Sequence, residues 1–273
     1  MTAVPGVTTT AAAAAFERIA PRYDDLFTRT AIGCAQRKQV WSRLLHAFPM
    51  GYRVLELNCG TGEDAGFLAM RGCQVVACDA SPTMIQIAKQ RANQESWGAA
   101  VEFQCLANEE LSGLSVRGPF DGAFSNFSGL NCFVDLSPVA HNLGTLVKPG
   151  GSLLLCVWSR VCVIEIVWYL LHGQAAKAVR RLSGKSSATV GETKISVFYP
   201  TVRRLRRVFS PWFRLVSRRA VGLFVPPSYM ERSIGSHPNL IGHLEHLDML
   251  FAHCPILRSA GDHVLLEFER CRP

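Results

Sequence analysis

Short apolar runs alternate with helical patterns from Arg53 to Trp158, and this alternation constrains the fold more than any other feature of the chain. The apolar runs are, in order, YRVLELN, CQVVACD, AVEFQCL, FDGAFSNF and SLLLCVW. Runs of this length separated mainly by helices form right-handed β–α–β units, which place parallel strands in one sheet with helices on both faces. Two more runs, RLVSRRAVGLFV and DHVLLEFER, follow, and the turn SAGD predicts an antiparallel last strand. The sequence therefore predicts an α/β fold with a seven-stranded, mostly parallel sheet.

The 273 residues have room for one large α/β domain or two small ones. Residues 1–15 lack the basic start of a secretory signal and the arginines of a transit peptide, and we expect a loose tail there. Residues 16–273 are expected to form a single domain. From Arg160 to Phe198 the β–α pattern is interrupted by an apolar helix, a basic helix and a Gly/Ser-rich turn, so we expect an insertion at 160–198 that acts as a substrate lid.

Composition indicates a soluble globular protein, since 48% of the residues are hydrophobic and 18% are charged. The most apolar window, VCVIEIVWYLL, contains Glu165 and is too short to span a bilayer. The ten cysteines are scattered and form no C-x-x-C pair, which is typical of buried free thiols in a reducing compartment. We therefore expect a cytoplasmic protein without a membrane span, disulfides or a metal site.

The net charge of +8 is concentrated in a stretch without acids between Thr193 and Met230. Its basic residues are Lys194, Arg203, Arg204, Arg206, Arg207, Arg214, Arg218 and Arg219. A nucleic-acid site would interleave exposed aromatic side chains with such residues. Here the spacing of Val202, Leu205 and Val208/Phe209 predicts instead an amphipathic helix with a solvated basic face.

The glycine-rich corner after the first strand is flanked by acids. Gly60 and Gly62 let the backbone approach a ligand, and Gly60 to Ala65 even fits the dinucleotide pattern, with Asp79 near the offset expected for ribose recognition. Pyrophosphate, however, requires a positive helix N-terminus, and Glu63 and Asp64 place negative charge there. Glu56 at the end of the strand adds to the repulsion. A phosphate-free, positively charged ligand with ribose hydroxyls fits this corner better than a dinucleotide.

Several motifs in their expected order resemble the class I S-adenosylmethionine-dependent methyltransferases, in particular their small-molecule branch of the type 11/25 kind. The motifs are ELNCGTG, VVACDASPTMIQIAKQRA, FDGAFSNFSGLN, LVKPGGSLLLCVW and the amino-terminal segment FERIAPRYDDLF. The resemblance spans most of Phe16 to Trp158. It implies a Rossmann-like fold, S-adenosyl-L-methionine as cofactor, and S-adenosyl-L-homocysteine as product.

The resemblance also assigns roles to residues of this chain. Glu56 would hold the methionine ammonium, the Asn58–Gly62 backbone would wrap the cofactor, and Asp79 would accept both ribose hydroxyls. Ala80 and Met84 would contact the adenine, Asn126 would face the methionine moiety, and Tyr23 would close over the methyl end. The cofactor-binding residues predicted in this way are Tyr23, Glu56, Asn58, Cys59, Gly60, Gly62, Asp79, Ala80, Met84, Ala107, Asn108 and Asn126.

Two positions depart from the family pattern. Asn58 stands where the motif usually has its first glycine. Ala107 stands where the family often has an acid that meets the adenine amino group, and Asn108 or backbone groups are the alternatives for that contact.

Methyl transfer from a sulfonium is an in-line displacement with an activated leaving group, so placing the acceptor correctly can supply most of the catalysis. A general base is needed only if the acceptor must lose a proton, and the candidates are Tyr23 and His141. Four aromatic residues could make the lid pocket hydrophobic, and four basic residues could attract an anionic group. These are Trp158, Trp168, Tyr169 and Phe198, and Lys177, Arg180, Arg181 and Lys185, respectively. The expected acceptor is a small lipophilic or aromatic molecule. Whether it also carries an acidic group is left open by the sequence.

Three alternatives remain open on sequence alone. An RNA-modifying methyltransferase is favoured by the basic stretch and disfavoured by Ser125-Asn126-Phe127-Ser128, where an NPPY-like base-methylation motif would stand. A non-catalytic cofactor-binding protein of the same fold is the second alternative. A dehydrogenase, favoured only by the glycine pattern, is the third. The acceptor atom and the oligomeric state do not follow from the sequence.

Overall fold

A computed structural model describes residues 7–272, and it contains a central seven-stranded sheet in the order β3-β2-β1-β4-β5-β9-β8. The strands are β1 (Arg53–Leu57), β2 (Gln74–Asp79), β3 (Val101–Cys105), β4 (Phe120–Ser125), β5 (Val147–Trp158), β8 (Phe213–Val221) and β9 (His263–Arg270). Strands β1 to β5 pair in parallel, whereas β9 pairs antiparallel with both β5 and β8. The predicted α/β fold with an antiparallel last strand is confirmed.

Ten α-helices of the described residues surround the sheet and the insertion. They are α1 (Val7–Ile19), α2 (Ala31–Ala47), α3 (Glu63–Ala69), α4 (Pro82–Gln94), α5 (Ser137–Leu146), α6 (Val163–Leu171), α7 (Ala175–Ala178), α8 (Val202–Phe209), α9 (Glu231–Ile234) and α10 (Pro238–Phe251). Helix α4 begins as expected, with Ser81 capping the Met84 amide and Pro82 in the first turn. No helix within residues 7–272 combines the length and apolarity needed to cross a membrane.

Two apolar layers lie on opposite faces of the sheet. Alternate residues of the strands feed one layer or the other: Leu55 and Leu57 belong to the first, and Val54 belongs to the second. In β1 this alternation includes one polar residue. Glu56 lies on the same face as Val54 and is 1% exposed. The pairing register places the ends of β1 and β2 at the same edge of the sheet, with Leu57 opposite Cys78. The residues that follow these strands therefore lie close together.

The expectation of a loose tail over residues 1–15 is wrong for its second half. Residues 7–19 form α1, because alanine has the highest helix propensity and Ala12 and Ala15 are buried. They pack against Ile195 and Val197 of the insertion. Residues 1–6 lie outside the described part of the chain.

The insertion at 160–198 contains a β-hairpin that the sequence analysis missed. After α6 and α7, the strands β6 (Lys185–Val190) and β7 (Thr193–Phe198) pair antiparallel in a sheet of their own. We expected a Gly/Ser-rich turn after the basic helix of the insertion, but this part of the chain forms β6, where side chains alternate between half-buried and exposed. The amphipathic helix predicted after the insertion, in the stretch without acids, is confirmed as α8, in which Leu205 and Phe209 are buried.

Candidate functional site

The turn between β1 and α3 brings backbone amides to the end of the sheet. Asn58, Gly60 and Gly62 all have positive φ, at 56°, 54° and 79°. At Gly62 a Cβ would lie 2.9 Å from the Cβ of Ala88, so glycine is required there by both conformation and space. At Gly60 a Cβ would approach only Tyr23, at 3.8 Å. The Gly60 side of the turn is therefore open toward the cavity described below.

Asp79 ends β2 beside this turn and holds it in place. Its carboxylate accepts hydrogen bonds from the backbone N–H of Gly60 and of Ser81, both at 2.9 Å. Burial raises the pKa of Asp79, and these two backbone donors oppose that shift. A carboxylate with spare acceptor capacity at the end of a second strand is suited to accept the hydroxyls of a ribose.

Glu56 is a buried carboxyl with one oxygen left without a partner. Its Oε2 has no hydrogen-bond partner among the described residues, and the residue is 1% exposed. Burial raises the pKa of Glu56 well above its ordinary value, the charge of Asp64 raises it further, and Arg37 lowers it. Leaving a carboxyl oxygen unpaired in a protein interior is costly, which indicates that a cationic donor belongs beside it.

The other two acids of the corner already have arginine partners, which revises the electrostatic argument made from sequence. Arg37 of α2 pairs with Asp64 at 2.6 Å, and both side chains are only 6% exposed. Arg91 of α4 pairs with Glu63 at 2.8 Å and also pairs with Asp24, so Glu63 shares its arginine. The N-terminus of α3 therefore carries less uncompensated negative charge than we expected, and Glu56 is the acid of this corner with a buried oxygen that lacks a partner among the described residues.

A cavity of ≈100 Å³ opens at this edge of the sheet. It is lined by eight of the twelve predicted cofactor-binding residues: Tyr23, Asn58, Gly60, Asp79, Ala80, Met84, Asn108 and Asn126. Glu56, Cys59, Gly62 and Ala107 are not among the lining residues. Cys59 and Gly62 form the buried side of the turn, and burial raises the pKa of the Cys59 thiol well above its ordinary value.

Asn58, at the first departure from the family pattern, binds Asn108, the alternative considered for the adenine contact at the second departure, Ala107. Asn108 donates to the side-chain oxygen of Asn58 at 2.8 Å, and Asn58 donates to Ser125 Oγ at 2.9 Å. This chain of amides connects the ends of β1 and β4 and the segment after β3. Asn108, rather than Ala107, thus presents its side chain to the cavity.

Sequence analysis missed seven lining residues: Ala12, Ala13, Phe16, Phe127, Gly129, Cys132 and Phe133. The alanines were assigned to the loose tail, although Phe16 opens a segment that had been identified as a cofactor cover. Glu17 fixes that cover, because its carboxylate accepts hydrogen bonds from the Ser81 hydroxyl and from the Thr83 hydroxyl and backbone N–H. These bonds hold α1 against the start of α4.

The two predicted general bases have different positions. Tyr23 lines the cavity, but burial raises its pKa to about 12, so its hydroxyl stays protonated near neutral pH. His141 is exposed on α5, where its ring packs edge-on against Trp212 at 5.2 Å between centroids, and it does not line the cavity. The structure therefore does not bring His141 to the site.

A buried imidazole that the sequence analysis did not single out lies behind the cavity wall. His263 Nε2 is 2.8 Å from Ser128 Oγ, and His263 Nδ1 is 3.2 Å from a carboxylate oxygen of Asp262. All three residues are less than 8% exposed. Ser128 has φ of 70° and stands between Phe127 and Gly129, which line the cavity. Only the adjacency of Asp262 and His263 was visible in the sequence, because Ser128 is 135 residues away.

Two of the four basic residues expected to attract an anion in the lid are already engaged in ion pairs. Arg180 and Arg181 both donate to the buried carboxylate of Glu165, and Arg181 also donates to Asp262. Burial would raise the pKa of Asp262, but the Arg181 guanidinium that donates to its carboxylate and the adjacent His263 ring hold this pKa below its ordinary value. These arginines anchor the insertion to β9 and are not available to an external anion.

The comparisons with known proteins agree with this geometry. Residues 54–151, which include the glycine turn and Asp79, match the family model described as a methyltransferase domain. A ubiquinone biosynthesis O-methyltransferase of Chromobacterium violaceum is 31% identical over 42% of this chain and 48% of the relative. A demethylmenaquinone methyltransferase of Thermobifida fusca is 31% identical over 55% of this chain and 62% of the relative. A tRNA 5-carboxymethoxyuridine methyltransferase of Escherichia coli is 30% identical over 58% and 57%, respectively.

The chain spans about half to three fifths of the length of these curated relatives. Among solved structures, an S-adenosylmethionine-dependent methyltransferase from Mesorhizobium loti superposes with a TM-score of 0.53 at 14% identity, covering 84% of this chain and 97% of the other. At that identity the likeness shows the fold alone.

Proposed function

We propose that this chain is a class I S-adenosylmethionine-dependent methyltransferase, that it binds S-adenosyl-L-methionine in the cavity at the ends of β1 and β2, and that it methylates a small lipophilic or aromatic molecule. One observation carries the proposal: a buried carboxyl with an unpartnered oxygen, Glu56, lies at the same sheet edge as Asp79 and the open face of Gly60. These groups match an ammonium and a ribose on one ligand.

Different residues of the site would contact different parts of the cofactor. The unpartnered oxygen of Glu56 would take the ammonium, Asp79 would take the ribose hydroxyls, and Ala80 and Met84 would contact the adenine. When bound, the cofactor would supply a methyl group on a positively charged sulfur and leave as S-adenosyl-L-homocysteine. Because Asp64 pairs with Arg37 and Glu63 shares Arg91 with Asp24, the affinity for a cation would come mainly from Glu56 rather than from the whole rim.

The cavity volume implies that α1 moves when ligands enter. Sites for small ligands commonly measure ~300–1,000 Å³, whereas this cavity measures ≈100 Å³. Helix α1 carries Phe16 over the cavity and is held by Glu17. We expect α1 to open for the cofactor and to exclude water from the reacting groups when it closes.

The acceptor would lie against the apolar part of the cavity wall. Phe16, Phe127, Cys132 and Phe133 line it and favour an aromatic or lipophilic molecule. Two of the relatives are named a ubiquinone biosynthesis O-methyltransferase and a demethylmenaquinone methyltransferase, which supports an acceptor of this class. Placement of the acceptor atom in line with the sulfur–methyl bond would supply most of the rate.

An acceptor hydroxyl must also lose its proton, and Ser128 with His263 could take it. As the acceptor oxygen bonds to the methyl carbon, its proton would pass to Ser128 Oγ while the Ser128 proton passes to His263 Nε2. Asp262 lies 3.2 Å from Nδ1 without forming a hydrogen bond to it, and its charge would stabilise the imidazolium. Ser128 does not itself line the cavity, so the relay requires the loop that carries Phe127 and Gly129 to bring Ser128 Oγ to the acceptor, and His263 would act through Ser128.

The test is turnover with isotope-labelled S-adenosylmethionine and a panel of phenols and hydroquinones, with methylated products identified by mass spectrometry. We expect a methylated phenol or hydroquinone, and a loss of kcat in His263→Asn that is greatest where the imidazole of the unmutated protein is neutral and the acceptor hydroxyl is still protonated, with KM for the cofactor unchanged. A pH profile of kcat that is unchanged in His263→Asn would contradict the proposed proton relay. Cofactor binding without turnover on any acceptor would support a non-catalytic protein instead.

The tRNA methyltransferase among the relatives and the exposed arginines of α8 favour a second candidate, methylation of RNA. We rank it lower because the cavity walls are apolar and α8 buries its apolar face in the domain core. Salt-dependent binding of a tRNA transcript, together with its methylation, would reverse this ranking.

A further inference from the structure

A second cavity, of ≈320 Å³, lies between the insertion and α8. Its volume falls within the ~300–1,000 Å³ typical of small-ligand sites. Phe133 lines both this cavity and the cofactor cavity, so the two cavities adjoin at this residue.

Three cationic side chains line the second cavity: Arg160, Lys185 and Arg204. Within residues 7–272, none of the three lies within ion-pair distance of a carboxylate. Arg160 donates to the backbone oxygen of Leu182 at 2.6 and 3.2 Å, and Arg204 donates to that of Val134 at 2.9 Å. Carbonyl partners orient these guanidinium groups but leave their positive charge uncompensated.

Asp135, whose pKa is lowered mainly by hydrogen bonds from Ser137 and also by the charge of Arg204, is engaged elsewhere. Its carboxylate accepts hydrogen bonds from the Ser137 hydroxyl at 2.7 Å and from the Ser137 N–H at 2.9 Å. Arg180 and Arg181, by contrast, have a carboxylate partner, because they share the buried Glu165. The insertion pairs its structural arginines, while the cavity cluster faces the space between the insertion and α8.

The remaining wall of the cavity is apolar. Leu136 and Leu205 are buried, and Val208 and Phe198 complete this side. A cavity with cations on one side and hydrocarbon on the other is suited to an amphiphilic anion, since the apolar part gains burial and the anionic part gains charge-assisted hydrogen bonds.

We propose that this cavity binds an oxyanion, a phosphate or carboxylate group carried by an apolar molecule, and that this group is the acidic end of the methyl acceptor. The acceptor part of the proposal rests on the proposed function, whereas anion binding does not. An acidic end held by Arg160, Lys185 and Arg204 would direct the other end of the molecule past Phe133 toward the cofactor.

The experiment measures binding of phenyl phosphate, inorganic phosphate and uncharged benzyl alcohol to the whole protein by calorimetry. We expect phenyl phosphate to bind at least about tenfold more tightly than inorganic phosphate, because only the former contacts Leu136, Leu205 and Val208, and benzyl alcohol to bind more weakly than either. The double variant Arg160→Gln/Arg204→Gln should bind phenyl phosphate at least tenfold more weakly. Equal affinity for the two phosphates would overturn the acceptor part in favour of a free-anion site.

The matched control is Arg203→Gln/Arg207→Gln, which removes two exposed charges from α8 outside the cavity. We expect this control to keep the affinity of the unmutated protein, and thermal unfolding should show that both variants fold. Equal losses in variant and control, or no binding by the unmutated protein, would overturn the proposal.

Titration of the same variants with S-adenosylhomocysteine separates the two proposals. We expect that affinity to be unchanged in Arg160→Gln/Arg204→Gln. Failure of S-adenosylhomocysteine to bind any form would contradict the proposed function, while the phosphate results would still decide on the anion site.

Discussion

Arg37 and Asp64 form a buried ion pair with 2.6 Å between Nη1 and Oδ2, and the charges of both residues act on the pKa of Glu56. The guanidinium also lies 4.9 Å from the centroid of Phe127, which lines the cofactor cavity. Asp64 further accepts hydrogen bonds from Trp41 and Asn126 at 2.6 and 2.9 Å. This pair therefore connects α2, the glycine turn and the loop after β4.

Replacing Arg37 by Met should destabilise the protein strongly. The change leaves the Asp64 charge buried without its partner, which typically costs about 3–5 kcal/mol. Urea unfolding followed by circular dichroism measures the loss. Arg214→Met is the control, since Arg214 pairs with Glu269 on the surface and exposed pairs contribute little. Similar losses in the two variants would contradict the assigned importance of the buried pair.

Stability should fall as the pH rises through the titration of Asp248. Burial raises its pKa to about 6 from 3.8, so the folded state keeps a proton that the unfolded state has already released between these values. Stability is therefore greatest below pH 3.8 as far as this group is concerned, and about 2–3 kcal/mol is lost by pH 6. Other groups add their own slopes, so the test compares unfolding free energies of the unmutated protein and Asp248→Asn. The variant should lack this part of the slope, and identical slopes would show that Asp248 does not titrate in this way.

Glu17→Gln should loosen α1. The Ser81 and Thr83 donors lower the pKa of Glu17, so the carboxylate is the form that binds them, and its contribution is lost as the pH falls through the lowered pKa. A neutral amide retains fewer and weaker bonds. Hydrogen exchange of residues 7–19 should accelerate, and S-adenosylhomocysteine should dissociate severalfold faster. Glu192→Gln, an exposed change in the hairpin turn, should leave both rates unaltered; equal effects would indicate a general charge effect.

Gly129→Ala should weaken cofactor binding without unfolding the domain. A Cβ at Gly129 would lie 2.4 Å from Asn58 Cγ and force Asn58 away from Ser125 and Asn108. Losing one or two such bonds costs ~1.4 kcal/mol, which corresponds to about a tenfold weaker Kd for S-adenosylhomocysteine. Gly113→Ala, where no atom lies within 4 Å of the added Cβ, is the control. A normal Kd in Gly129→Ala would show that the Asn58 chain does not shape the site.

Much of the fold was predictable because strand and helix periods are local. The strands, the glycine turn, Asp79 and the cap of α4 all follow from residues close together in sequence. The partners of Asp64 and Glu63 were not predictable, since Arg37 is 27 residues before Asp64 and Arg91 is 28 residues after Glu63. Pairing between distant elements decides whether an acid is available to a ligand, and sequence periodicity does not contain that information.

The same limit explains the remaining errors. Residues 7–15 were taken for a tail because alanines carry no apolar stripe of their own, yet the hairpin gives Ala12 and Ala15 a surface to pack against. The Ser128–His263 contact joins the loop after β4 to the last strand, and only the antiparallel pairing of β5 with β9 brings them together.

The most direct test of the account is calorimetric titration with S-adenosylhomocysteine and with NAD⁺, using the unmutated protein, Glu56→Gln and the control Glu63→Gln. We predict that S-adenosylhomocysteine binds and NAD⁺ does not, that Glu56→Gln weakens S-adenosylhomocysteine at least about tenfold, and that Glu63→Gln changes its affinity little. Binding of NAD⁺ in place of S-adenosylhomocysteine, or full affinity in Glu56→Gln, would contradict the claim that the unpartnered carboxyl selects a cationic nucleoside.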